Sequence, residues 1–260
     1  MNTWKRIILL VGICFSAFNL SAHNLEQSVN SEDRSLDNIA RDSYRHPYET
    51  LSFFGINPKM TIVELAPGSG WYTEILSIYM YDEGRLITAA YDPTKGSYYK
   101  RSTDAFKKKL KSKDHYNKVE VVYLGSKLAE DRTVDAVLTF RNLHNWLGTE
   151  IETIFNQSFA ALKPGGVFGV VEHRAISGTS MELMKKSGYV TEQFAIDLAL
   201  KTGFRLVAKS EINANPKDTK DHPKGVWTLP PSYRLGDKDY DKYSDIGESD
   251  RMTLLFQKPL

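Results

Sequence analysis

Residues whose types and spacing could carry chemistry gather at four places in this sequence. The first is Glu64 followed by Ala66-Pro67-Gly68-Ser69-Gly70. It lies between an apolar run (Ile62, Val63, Leu65) and Trp71, Ile75 and Leu76 at helical spacing. A buried strand, a tight turn and a helix N-terminus in that order make a nucleotide-type cradle. Glycines at 68 and 70 let a ligand approach the backbone, because no Cβ stands in the way. The second place is Asp92-Pro93, 22 residues beyond Gly70, where an acid can accept both hydroxyls of a ribose. The third holds Asn142 and His144, just past an apolar run at 134–140 that Asp135 opens. The fourth is the turn LKPGG at 162–166 and the run that it feeds, which ends in His173 and Arg174.

Other chemistries fit less well. A dinucleotide fingerprint started at Gly68 puts Thr73 at its third glycine, and one started at Ala66 puts Trp71 there; either side chain would hold the helix off the strand. Ser69 lacks the spacing of a hydrolase nucleophile elbow. The six histidines are scattered, with no i, i+4 pair and no neighbouring cysteine, so spacing implies no metal site. His144 is the candidate base, since imidazole titrates near neutrality, with a local capping or packing role as the alternative. His173 and Arg174 would bind an acidic acceptor or form a rim salt bridge. Tyr72 and Trp71 would shape a pocket or simply fill core.

The elements that must position these residues alternate as in a doubly wound sheet. Strands are expected at 61–65, 85–91, 119–124, 134–140, 167–172, 205–212 and 251–257, with helices at 41–54, 99–110, 150–162 and 191–201. The fold class is therefore α/β: a Rossmann-like, seven-stranded, mostly parallel sheet with helices on both faces. An insertion at 213–250, rich in Asp, Lys and Pro yet carrying Trp227, Tyr233, Tyr240 and Tyr243, reads as a lid or substrate loop, or as a docked surface excursion.

The cradle resembles the first motif of class I S-adenosylmethionine (AdoMet)-dependent methyltransferases, acidic-x-G-x-G-x-G, with Ala66 in place of the first glycine. Asp92 and LKPGG follow in the order that family requires. The segments YRHPYETLSFFGI, PGSGWYTEIL, KGVWTLPPSYR and GESDRMTLLFQKP are similar to a narrower group of predicted exported bacterial methyltransferases. The resemblance covers about residues 45 to 258 and implies AdoMet as cofactor. The backbone of Ala66, Pro67, Gly68, Ser69 and Gly70 would then face its methionine part. Glu64 would orient the amino group and Asp92 the ribose, and Pro93 would flank the adenine. Ser126 is the one polar side chain available where many members carry an adenine-binding acid. Phe140 to Asn142 would pass beneath the sulfonium, and Tyr72, His173, Arg174 and Trp227 would meet the acceptor. A non-catalytic protein of this fold that binds AdoMet or a nucleoside is the alternative. A nicotinamide oxidoreductase is disfavoured by the turn.

The N-terminus fits an export signal: Lys5 and Arg6, an apolar stretch at 7–18, and a small residue for cleavage after Ala22. Cleavage there removes Cys14, the single cysteine, so no disulfide is expected in the exported, periplasmic chain. It also removes two of the 34 basic residues and matches them to the 32 acidic ones. That balance argues against a general nucleic-acid binder, and no membrane span is expected in the mature chain. Residues 23–40 read as a flexible segment ahead of a domain at 41–260. The partner expected is a small-molecule or exported acceptor.

Overall fold

The computed structural model describes residues 24–260, so the leader expected at 1–22 lies outside the described residues. Seven strands form one sheet: β1 Thr61–Leu65, β2 Arg85–Ala90, β3 Glu120–Tyr123, β4 Val134–Phe140, β5 Leu162–His173, β6 Arg205–Ser210 and β7 Arg251–Gln257. Their order is β3-β2-β1-β4-β5-β7-β6, with β7 antiparallel to both neighbours and the other pairings parallel. The strand order reverses between the parallel β1 and β4, and the carboxyl ends of these strands flank the crevice where such sheets bind ligands.

Strand alternation supplies two cores. Val63, Leu65, Ile87, Ala89, Val137, Phe168 and Val170 face one side, under α8 (Thr149–Ala161) and α10 (Glu192–Thr202). Ile62, Leu86, Ala136 and Leu138 face the other, under α1 (Leu25–Val29), α4 (Pro47–Phe53) and α5 (Trp71–Tyr79). Covered on both faces, the central strands are apolar almost throughout. Glu64 is the exception within β1.

Three expectations need correction. Residues 24–40 are not a loose leader to the domain. Leu25 and Val29 join the second core, and the buried Arg34 Nη1 donates to Val29 O at 2.6 Å and to Asp42 at 2.6 Å. The helix expected at 41–54 breaks into α3 (Asp42–Arg45) and α4. The break falls at His46, before Pro47, where proline disfavours continuation of the right-handed helix; His46 itself takes a left-handed φ of 41°. Of Tyr48, Leu51 and Phe54, which one continuous helix would put on one side, Leu51 and Phe54 are buried and Tyr48 is exposed. Last, LKPGG belongs to β5. Leu162 pairs with Val134 and Val167 with Ala136, so 163–166 bulge out between them. A Cβ at Gly166 would lie 2.9 Å from Lys163 O and 3.1 Å from Asp135 O, so only glycine fits. Asp135 is structural: it accepts Thr61 N–H at 2.8 Å and Lys163 Nζ at 2.5 Å.

The insertion at 213–250 is docked. Asn213 donates to Thr50 and Thr253 hydroxyls at 3.0 Å. Buried Asp218 accepts Tyr189 Oη, Asp250 N–H and a His222 ring nitrogen. The remaining helices are α2 (Leu36–Ile39), α6 (Ser97–Lys109), α7 (Leu143–Trp146), α9 (Met181–Ser187) and α11 (Tyr240–Ile246). Among the described residues, no helix is long and apolar enough to cross a membrane.

Candidate functional site

The turn between β1 and α5 has the geometry that its glycines suggested. Gly68 and Gly70 take φ of 59° and 78°. A Cβ on Gly70 would meet Phe106 at 3.0 Å, while nothing lies within 4 Å of one on Gly68, so the space above Gly68 is open. Ala66, where the resemblance wants glycine, takes the same left-handed conformation, φ 46°, at a cost of about 1–2 kcal/mol. Pro67 O accepts Gly70 N–H at 2.9 Å and tightens the turn around Ser69.

Asn142 sits beside this turn but serves it from below. Its Nδ2 faces the carbonyls of Leu65, Ala66 and Phe140 at 3.3, 3.2 and 3.1 Å. It ties the ends of β1 and β4 together, a positioning role where direct cofactor contact was expected. Glu64 is buried beneath the turn and accepts Thr73 Oγ1 at 2.6 Å. Burial pushes its carboxyl up to about 7. Tyr72 stacks on Phe140 with centroids 3.5 Å apart and donates to Arg45 O at 3.3 Å. Its hydroxyl is thus committed within the protein.

At the end of β2, a cavity of about 230 Å³ is lined by Tyr91, Asp92, Tyr99, Leu124, Gly125 and Glu150, among others. It is smaller than a pocket for a whole ligand (~300–1,000 Å³) and suits one end of one. Asp92 Oδ1 accepts Thr94 N–H and Oγ1, at 2.9 and 2.7 Å. These bonds hold its carboxyl below the usual carboxylate range. Oδ2 has no hydrogen-bond partner among the described residues. Pro93 starts the short turn that follows. Ser126 is a correction: its Oγ donates to Tyr123 O at 2.6 Å, and it does not line the cavity. The acid present is Glu150, at the start of α8, which the strand-by-strand reading did not consider.

The ends of β4 and β5 bring His144 to a partner that spacing could not reveal. Fully buried Glu172 lies 3.0 Å from His144 Nδ1 through Oε1, which also accepts His173 N–H at 2.8 Å; Oε2 accepts Leu143 N–H. The neutral tautomer that donates from Nδ1 to this carboxylate leaves Nε2 as an acceptor. The His144 and His173 ring centroids are 5.2 Å apart, and His173 Nδ1 meets Ser249 Oγ at 2.5 Å. Burial, then the proximity of His144, pushes His173 well below the usual imidazole range. His144, Glu172 and His173 also offer ligand-type atoms within 4.8 Å of one another, a metal-like grouping that the sequence did not suggest. Two observations oppose a cation there. Glu172 already accepts backbone N–H groups, and Arg141, Arg251 and Arg45 all act on His173 as positive charges. Arg174 is the rim salt bridge of the two alternatives, bonded to Asp250 and Glu211 at 2.7–3.0 Å.

The insertion closes this end. The Trp227 ring lies 5.9 Å from His144, and Tyr189 lies 6.2 Å from His173. Both line a second cavity of about 550 Å³ beneath the insertion. Glu248 enters among Arg41, Arg45, Arg141 and Arg251, none of which the sequence reading had singled out.

No protein-family profile matches this sequence, and no curated protein matches it. Solved structures do match in fold. An S-adenosylmethionine-dependent methyltransferase from Aquifex aeolicus aligns with TM-score 0.58 and 14% identity over 90% of this chain and 98% of its own. One from Methanosarcina mazei aligns with TM-score 0.52 and 12% identity over 79% and 95%. The [4+2]-cyclase SpnF aligns with TM-score 0.53 and 14% identity over 91% and 92%. The chain thus has the Rossmann-like α/β fold of these methyltransferases. At these identities the likeness defines architecture, and the cyclase shows that the architecture alone does not fix a reaction.

Proposed function

We propose that this protein is an AdoMet-dependent methyltransferase acting on a small-molecule or exported acceptor. The observation that carries the reading is the Glu172–His144 pair where β4 and β5 end, at the same edge of the parallel sheet as the glycine turn after β1 and the Asp92 cavity after β2. The residues fit the cofactor. The turn is left open above Gly68, Asp92 keeps Oδ2 for a ribose, and Tyr91, Leu124 and Tyr99 line a cavity that would take a base. When bound, AdoMet supplies an activated methyl group, so the protein's task is alignment of the acceptor and removal of its proton. Asn142 ties the ends of β1 and β4, Trp227 of the insertion packs beside His144, and His144 Nε2 would take the proton while Glu172 steadies the imidazolium. A protein that only binds a nucleoside needs no such oriented base.

Export on the leader at 1–22 belongs to the same proposal, and its cleavage is checked by the N-terminal sequence of the secreted chain. Catalysis is tested by S-adenosylhomocysteine release with hydroxyl, amine and thiol acceptors. His144→Asn should lower turnover by about 10²–10⁴-fold with AdoMet affinity unchanged. Undiminished turnover would remove His144 as the base. Tight AdoMet binding with no turnover on any acceptor would favour the non-catalytic reading.

A further inference from the structure

Four guanidinium groups converge on one carboxylate near the carboxyl end of β4. Arg41 Nε donates to Glu248 Oε1 at 2.6 Å; Arg251 Nη1 and Arg45 Nε lie 3.2 and 3.3 Å from Oε2, and Arg141 Nη1 lies 3.8 Å away. Arg45, Arg251 and Glu248 are only 2–3% exposed. Other acids nearby are already engaged: Asp42 by Arg34, and Asp250 by Arg174 and Lys220. One carboxylate for four cations leaves three positive charges unmatched; Arg45 and Arg251 are buried while Arg41 and Arg141 keep about a quarter of their side chains exposed, and such an excess beside buried charge favours a bound anion.

The guanidiniums keep N–H groups outside the protein's hydrogen bonds. Arg45 Nη2 and Arg41 Nη2 are buried without a hydrogen-bond partner, although Arg41 Nη2 lies 2.6 Å from Glu248 Oε1. Arg141 makes no side-chain hydrogen bond among the described residues, and its side chain keeps 26% of its surface exposed. Arg141 follows Phe140 directly and takes a left-handed φ of 62°, held by its N–H bond to Val171 O at 2.7 Å. The sequence places a guanidinium there against backbone preference. The consequences appear in the titration of the group. Burial, with Arg251 and Arg41 adding to it against the pull of Glu248, pushes Arg141 down to about 10. Glu248, although burial raises it, is held at about 2 by the surrounding arginines.

The position is next to the chemistry. Arg45 lies over the Trp71 ring at 4.6 Å, at the N-terminus of α5, and its carbonyl accepts the Tyr72 hydroxyl. Arg251 is the register partner of His173 across β5 and β7. We propose that the methyl acceptor is an anion, carrying a carboxylate or phosphate group that docks on Arg141 and Arg45. This rests on the methyltransferase reading. The methionine carboxylate of the cofactor would match one of the three excess charges, which leaves two for the acceptor. Guanidinium forks suit either oxyanion, because two parallel N–H groups meet two oxygens.

The test uses the chain from residue 23 onward, saturated with S-adenosylhomocysteine, titrated separately with inorganic phosphate and with succinate. One of the two anions should bind on top of S-adenosylhomocysteine. Arg141→Gln should weaken it about tenfold to a hundredfold, Arg141→Lys should weaken it less, and S-adenosylhomocysteine affinity should stay as it was. Preference for phosphate or for succinate assigns the acceptor's group. If neither anion binds the loaded protein the proposal is overturned, and if Arg141→Gln weakens S-adenosylhomocysteine instead it is overturned in favour of arginines that hold the cofactor's own carboxylate. Failure of S-adenosylhomocysteine to bind at all would sink the methyltransferase reading separately. Arg141-dependent anion binding to the cofactor-free protein would then still support the anion site, and its absence would overturn that too.

Discussion

At the residue scale, Glu64 carries a clear pH signature. Its folded carboxyl titrates at about 7 against an ordinary 4.5. A raised acid stabilises most below the ordinary value, where both folded and unfolded forms are protonated, and that stability is lost as pH rises through about 7. Glu64→Gln should abolish this decline, with a gain over the native chain on the order of 3 kcal/mol at pH 8, read from urea unfolding at pH 4.5 and 8. Equal pH dependence in the two proteins would contradict it. Ala66 offers a second check. Because it sits at φ 46°, Ala66→Gly should cost less than Ala136→Gly in regular β4, although both methyls are buried. A difference of about 1 kcal/mol or more in denaturant unfolding is expected. These residues were legible because they are local: strand, turn and helix follow within sixteen positions, and so does the chemistry of the cradle. The Glu172–His144 pair was not, since its members are 28 apart and meet only when β4 and β5 pair. Ser126 was misjudged because a strand-end position does not say which way a hydroxyl turns, and this one turns back to its own backbone.

At the scale of elements, the strands were readable from apolar runs and their bounding turns, including β7, which returns antiparallel. The segment at 24–40 was not, because its ordering depends on a buried cation rather than on periodicity. Arg34 is fully covered; it ties Val29 O to Asp42 and lies 5.1 Å from the centre of the Trp71 ring, whose Nε1 donates to Asn38 O at 3.0 Å. Arg34→Ala should therefore destabilise the whole domain by roughly 2–3 kcal/mol, the lower side of what breaking a buried pair costs, because Asp42 keeps some solvent. Thermal unfolding indistinguishable from the native chain would mean that these helices are not part of the cooperative unit. The insertion was readable as packed from its aromatics, but its gift to the site, Glu248, came from its polar end.

At the scale of the whole molecule, the insertion and the N-terminal helices meet over the crevice through one ion cluster. Arg41 and Arg45 come from before β1, Arg141 from the end of β4, and Glu248 and Arg251 from the end of the insertion and the start of β7. Glu248→Gln should destabilise by about 3–5 kcal/mol at pH 7, since it leaves buried guanidiniums unpaired. Glu248 is held at about 2, so its contribution is present above 4.5 and is lost as pH falls towards 2, and the mutant and native chains should converge there. The central claim, that this crevice holds AdoMet for methyl transfer, is tested most directly by calorimetric titration of the chain from residue 23 onward with AdoMet and S-adenosylhomocysteine. Both should bind, and Asp92→Ala should weaken both about tenfold to a hundredfold through loss of charged hydrogen bonds to the ribose. No binding, or binding indifferent to Asp92, would contradict the account.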